Sequence, residues 1–159
     1  MNRISFHDQI SKNKWKSLAL ISSIFIILML IGYVIGLALG PDYFFGIMIF
    51  SIIFTLLYIW SGYYFSDKIA IASVNAKPAL INQFPQYHDL VEGLCLASGL
   101  PKPKLYVMED NSINAFASGR DPNHAIICFT TGALRKLDKQ ELEGVLAHEL
   151  SHIANYDIR

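Results

Sequence analysis

The sequence has 159 residues, no net formal charge and a 53% share of hydrophobic residues, with a mean hydropathy of +0.36. That length allows one domain, and the apolar excess lies in the first half, so it marks membrane segments more than a large core. No basic patch stands out beyond the first residues, which argues against nucleic acid as a partner. The two cysteines, Cys95 and Cys128, lie far apart and form no CxxC pair; they are expected as buried small hydrophobes in a reducing, cytosolic setting.

Residues 1–16 form a short basic arm, with Arg3, Lys12, Lys14 and Lys16 against Asp8 alone, and Trp15 at its edge. Residues 17–39 are uncharged and rich in Ile and Leu, longer than the ~20 residues a helix needs to cross a bilayer. A cleaved leader is the competing reading, since Ala38-Leu39-Gly40 loosely resembles a cleavage site. The run exceeds the roughly 7–15 residues of a leader's apolar core, however, and a second span follows at once. Gly40-Pro41-Asp42 is a tight turn. Residues 44–65 are the second uncharged run, with Tyr58, Trp60, Tyr63 and Tyr64 towards its far end, where an aromatic belt belongs. The connecting loop has no Lys or Arg, whereas the arm precedes the first span and Lys68 and Lys77 follow the second. The positive-inside rule then predicts a helical hairpin with both chain ends in the cytoplasm.

Residues 66–83 are mixed and polar and read as a connector. Pro85 to Ser98 carries Leu90, Val91, Leu94 and Cys95 at helical spacing, with Gly99 as C-terminal cap and Pro101 beyond it. Three short strands are expected at Lys104 to Met108, Ala115 to Ser118 and Ala125 to Phe129. Turn clusters separate them, which suggests an antiparallel meander. Thr131-Gly132 opens a short helical turn through Leu137.

Asp138 followed by Glu141 is a capping-box start, and no proline interrupts Gln140 to Asn155, so a helix is predicted over about 139–156. Leu142, Val145, Leu146, Leu150 and Ile153 mark its buried side. Glu149 falls inside that apolar arc, where a carboxylate is costly without a role or a partner; His148 and His152 sit at its edge.

Histidines four apart on a helix project from one face, and their neutral imidazoles suit zinc. The glutamate between them can reach a metal-bound water. Zinc lowers that water's pKa towards ~7 and polarises a carbonyl, so Glu149 is read as general base and then acid, not as ligand. A catalytic zinc needs three protein ligands and an open position, and two are visible. Hydrogen-bonded histidines without metal are the competing reading. His88 and His124 each stand alone and are expected to be solvated or hydrogen-bonded. Of the nearby acids, Asp157 lies too close behind His152 to fold back easily, and Glu109 and Asp110 belong to turns, so none is assigned as third ligand.

The two spans, Gly99-Leu100-Pro101-Lys102-Pro103, Asn114-Ala115-Phe116-Ala117-Ser118-Gly119, Thr130-Thr131-Gly132 and Glu143 to His152 together resemble the HtpX-type membrane zinc metalloproteases, bacterial relatives of the prenyl-protein CAAX proteases. The resemblance runs through essentially the whole chain. It implies an α+β membrane protein: a transmembrane hairpin followed by a small cytoplasmic zincin-like metalloprotease domain over 66–159. It implies an inner-membrane endopeptidase, with one zinc per chain, acting on misfolded or damaged membrane proteins. It further implies that Asn114, Ala115, Phe116 and Ala117 lie along the cleft, where an extended polypeptide substrate pairs with a strand edge; a strand that is merely packed is the alternative. The family's third zinc ligand is a glutamate on a later helix. The chain is therefore expected to be the N-terminal part of a longer protease, incomplete at its C-terminus and inactive alone. Two other functions stay open: a membrane-anchored binding or assembly module without catalysis, and a zinc hydrolase acting on a small molecule or lipid.

Overall fold

The computed structural model describes residues 6–158; the start of the basic arm, including Arg3, and Arg159 lie outside them. Helix α1 runs Phe6–Leu39 and α2 Pro41–Tyr64. Pro41 occupies the first turn of α2, where its missing N–H costs nothing, and Gly40 makes the reversal with a positive φ of 98°. Both helices are long and apolar enough to cross a membrane. At 34 residues, α1 is about 51 Å long, well beyond a hydrocarbon core of ~30 Å. The expected basic arm is thus, from Phe6 on, a continuation of the first helix.

The expected connector is also structured. Residues Ser66–Ser73 form α3, and Lys77–Pro78 form a short strand, β1. Helix α4 (Pro85–Ser98) ends where Gly99 adopts the left-handed conformation, φ 70°. Strands β2 (Lys104–Met108), β3 (Ala115–Gly119) and β4 (Ala125–Thr130) follow, then α5 (Thr131–Lys136) and α6 (Lys139–Ala154).

The strands form one sheet in the order β1-β2-β4-β3. β2 and β4 are parallel, Lys104 opposite Ile126 and Met108 opposite Thr130, whereas β3 pairs antiparallel with β4 from its other side. The expected meander is therefore incorrect. Every residue of β4 is buried, and a strand with apolar groups on both faces belongs in the middle of a sheet covered on both sides. One face of β4, through Ile127 and Phe129, meets Tyr87, Leu90 and Val91 of α4 and Leu142, Leu146, Leu150 and Ile153 of α6 in a single core. Helix α3 packs against β3 and β4 and ties the sheet to the end of the second span. Cys95 and Cys128 are buried free thiols, and burial pushes Cys128 up to about 11.

The loop before β3 is held by Thr130. Its Oγ donates to the Ser112 carbonyl at 2.7 Å and accepts from the N–H groups of Ala133 and Asn114, both at 3.1 Å. Gly132 sits beneath this loop, its N–H donating to the Asp110 carbonyl at 2.7 Å. A Cβ there would collide with the carbonyls of Asn111 and Ser112. Gly132→Ala, which on helix propensity alone would stabilise α5 by about 1 kcal/mol, is expected instead to destabilise by about 1–3 kcal/mol. A lower thermal midpoint in detergent, followed by circular dichroism, would show it.

Candidate metal centre

Helix α6 is specified at both ends. At the start, the Asp138 carboxylate accepts from the Glu141 N–H at 2.8 Å and the Glu141 carboxylate from the Asp138 N–H at 3.0 Å. This reciprocal box is worth about 1 kcal/mol. Burying Leu142, Leu146, Leu150 and Ile153, at about 1.5–3 kcal/mol each, sets the rotation of the helix about its axis. That rotation turns Glu149 inward, to 8% exposure, and leaves His148 exposed and His152 half-buried at the rim.

The two imidazoles converge. Their Nε2 atoms are 3.0 Å apart, with the rings edge-on at an interplanar angle of 85°. Two nitrogens each ~2.0–2.1 Å from one tetrahedral ion lie roughly 3.3 Å apart, so a small adjustment would let both hold the same cation. Among the described residues, no group of three or more His, Cys, Asp and Glu stands ready to hold a metal ion.

Asp157 is where the sequence reading needs correction. It does fold back: its Oδ2 accepts from His152 Nδ1 at 2.9 Å. The helix ends in a Schellman turn, in which the Asp157 N–H donates to the His152 carbonyl and the Tyr156 N–H to the Ile153 carbonyl, each at 3.2 Å. Tyr156 occupies the left-handed position at φ 57°, a place normally taken by glycine. A carboxylate can only accept, so Nδ1 of His152 carries a proton, and in the neutral ring this leaves the Nε2 lone pair facing His148. Asp157 therefore fixes the orientation of the His152 ring.

The remaining candidates lie elsewhere. His88 Nε2 is 2.7 Å from the Ala79 carbonyl and His124 Nδ1 is 2.8 Å from Asp121, hydrogen-bonded as expected. Glu109 pairs with Lys77 at 2.9 Å. The Ser112 backbone N–H, at 2.7 Å, holds Asp110 below the usual carboxylate range.

Ala115, Phe116 and Ala117 lie on the edge strand β3, with Asn114 just before it. Thr130 donates its N–H to the Asn114 carbonyl. By antiparallel alternation, Asn114, Phe116 and Ser118 bond to β4 while the main-chain groups of Ala115, Ala117 and Gly119 point outward. The Gly119 N–H is taken by the Ile158 carbonyl at 3.2 Å and the Ala115 N–H by the Asn114 side chain at 2.9 Å. The stretch centred on Ala117 is left as the open edge, and α6 packs against this same strand.

A membrane-type helical hairpin bears an α+β domain in which a His-Glu-x-x-His helix lies beside an edge strand, a pattern that metallopeptidases use. Residues 82–159 match the model of peptidase family M48. A protease HtpX homolog of Thermoanaerobacter pseudethanolicus is 43% identical over 164 residues, covering 99% of this chain and 52% of its own length. Those of Dictyoglomus thermophilum and Streptococcus mutans are 42% and 40% identical, covering 100% and 96% of this chain and 52% and 50% of their own lengths. The chain spans about half the length of these curated relatives. Over nearly all of its length it is similar to HtpX-type proteases, and over residues 82–159 to peptidase family M48.

The Asp157 bond has a direct signature. In 15N-histidine spectra, His152 is expected as the Nδ1–H tautomer, and Asp157→Ala should redistribute its proton towards Nε2. An unchanged tautomer in that variant would refute the orienting role.

Proposed function

We propose that this chain supplies the general base and two zinc ligands of a membrane endopeptidase, with His148 and His152 as ligands and Glu149 as base. The observation that supports this most is the convergence of two Nε2 atoms at 3.0 Å beside a glutamate buried to 8% exposure. A carboxylate seated there is costly unless chemistry employs it.

Zinc, when bound, supplies Lewis acidity to a water and to the scissile carbonyl. Glu149 takes the proton of the attacking water and delivers it to the leaving amine. Asp157 keeps the His152 lone pair directed at the ion, while His148 must give up its Nε2 proton or move it to Nδ1 before it can bind. The polypeptide substrate extends along Asn114 to Ala117 and adds its main chain to the edge at Ala117, a mode that reads backbone more than side chains. This suits misfolded or damaged membrane proteins, which share exposed backbone and little sequence. In this reading the zincin-like domain lies on the cytoplasmic side of a bacterial inner membrane, an orientation that the distribution of Lys and Arg favours.

A catalytic zinc takes three protein ligands, and the family resemblance implies a glutamate on a later helix as the third. Within the described residues the donor group stops at two imidazoles, which also supports the other reading for the isolated chain, that of a membrane-anchored binding module.

The test compares zinc content and casein cleavage of this chain and of a protein of its relatives' full length, each with Glu149 or Glu149→Gln. Only the longer wild-type protein is expected to cut, with both longer forms holding about one zinc and Glu149→Gln lowering turnover at least about a hundredfold. A longer protein that holds no zinc and is indifferent to Glu149→Gln would leave the binding module as the better account.

A further inference from the structure

At one end of the hairpin the groove between the spans meets a concentration of charge. A cavity of about 550 Å³ opens between α1 and α2, lined by Leu18, Ile21, Ile24 and Ile59 and closed at its polar end by Lys14 and Arg120. Ser66 and Arg120 also line a second cavity of about 240 Å³, together with Lys68, Lys104, His124 and Asp67. The two spaces are thus neighbours across one guanidinium, the first apolar and the second carrying three Lys or Arg against one carboxylate.

The cations stand on aromatic supports. Arg120 lies over the Tyr64 ring at 5.0 Å and Lys68 over Phe65 at 5.1 Å, while Arg120 Nε is 3.5 Å from Asp121. Asp121 is itself engaged by His124. Burial is the largest single influence and opposes its charged form, but the bond and charge of His124 together with the backbone N–H groups of Asn123 and His124 outweigh it and keep the carboxyl below the usual range. Tyr63, Tyr64 and Trp60 put this region at the depth of a membrane interface.

An apolar slot between membrane helices, ending at interface depth in a guanidinium and two lysines, matches one kind of molecule: a lipid with a negatively charged headgroup. Arg120 also donates from Nη1 to the Tyr64 carbonyl at 3.5 Å, so it acts here through its charge, and basic pockets at this depth select anionic over zwitterionic lipid. We propose that Arg120, Lys68 and Lys104, with the groove between α1 and α2, bind one anionic phospholipid, an acyl chain in the groove and the phosphate against the three cations. This inference does not depend on catalysis at His148 and His152.

Trp60 reports on the site, because its ring lies 5.2 Å from Tyr64 and 5.8 Å from Phe65. The chain with Trp15→Phe, reconstituted in phosphatidylcholine nanodiscs, is titrated with brominated phosphatidylglycerol or brominated phosphatidylcholine while Trp60 quenching is followed. The glycerol lipid is expected to quench at about three- to tenfold lower mole fraction. Lys104→Gln and Lys68→Gln, both at exposed positions, should each reduce that preference and Arg120→Gln should abolish it. The pair Lys12→Gln and Lys16→Gln, elsewhere on α1, should leave it intact. Equal quenching by the two lipids would overturn the proposal, as would an equal loss in the Lys12 and Lys16 control. Displacement by inorganic phosphate would assign the cations to a free anion instead. Quenching that disappears in a protein of the relatives' full length would show that polypeptide, not lipid, fills the groove.

Discussion

The rotational setting of α6 against the sheet is the constraint on which the site depends. Its apolar residues must meet β4, which alone among the described strands is buried along its whole length, and only one rotation buries Leu142, Leu146, Leu150 and Ile153 together. Glu149 is carried inward by the same rotation and the two imidazoles are left at the rim. The geometry of the site is a by-product of core packing: a turn of the helix about its axis would lose apolar burial before it moved either imidazole. This is the arrangement expected of a site built on a rigid element rather than on a loop.

The last turn of α6 adds a second constraint at a cost. A non-glycine residue in the left-handed position is disfavoured by roughly 1–2 kcal/mol, yet Tyr156 holds it. Three contacts offset this cost. The Schellman bonds satisfy the final carbonyls of the helix, Lys14 lies over the Tyr156 ring at 4.9 Å, and Asn13 donates to the Asn155 carbonyl at 3.2 Å. Two of the three come from the N-terminal part of α1. The first membrane helix therefore braces the turn that aims Asp157 at His152, and the anchor and the site are mechanically joined. Strained backbone beside functional groups is a recurrent pattern, and here its support is visible.

The other attachment is through α3, which leaves the second span and packs on the sheet. Helix α1 at the end of α6 and α3 on β3 and β4 hold the small domain to the hairpin at two separate places. The open edge of β3 lies next to α6, with its far end closed by the Ile158 carbonyl on Gly119. The edge is thereby limited in length, which keeps it from acting as a general template for aggregation.

What the amino-acid sequence determined alone was everything local. The spans follow from uninterrupted apolar runs, α4 from its periodicity and Gly99, and α6 from the Asp138–Glu141 box. The inward glutamate and paired histidines follow from 100° steps around that helix. Local rules fell short in two places within the sequence itself. The uniformly apolar run of β4 already hinted at a central strand, and the basic residues Lys12, Lys14 and Lys16 did not reveal that α1 runs through them from Phe6 on. Only the tertiary structure decided that β4 lies between β2 and β3 with parallel pairing on one side, that Tyr156 turns left-handed, and that Asp157 returns to His152. It also decided that Arg120 stands beside Lys68 and Lys104. Each of these depends on contacts between residues distant in the chain or on strain repaid by them, and no window of neighbouring residues contains that information.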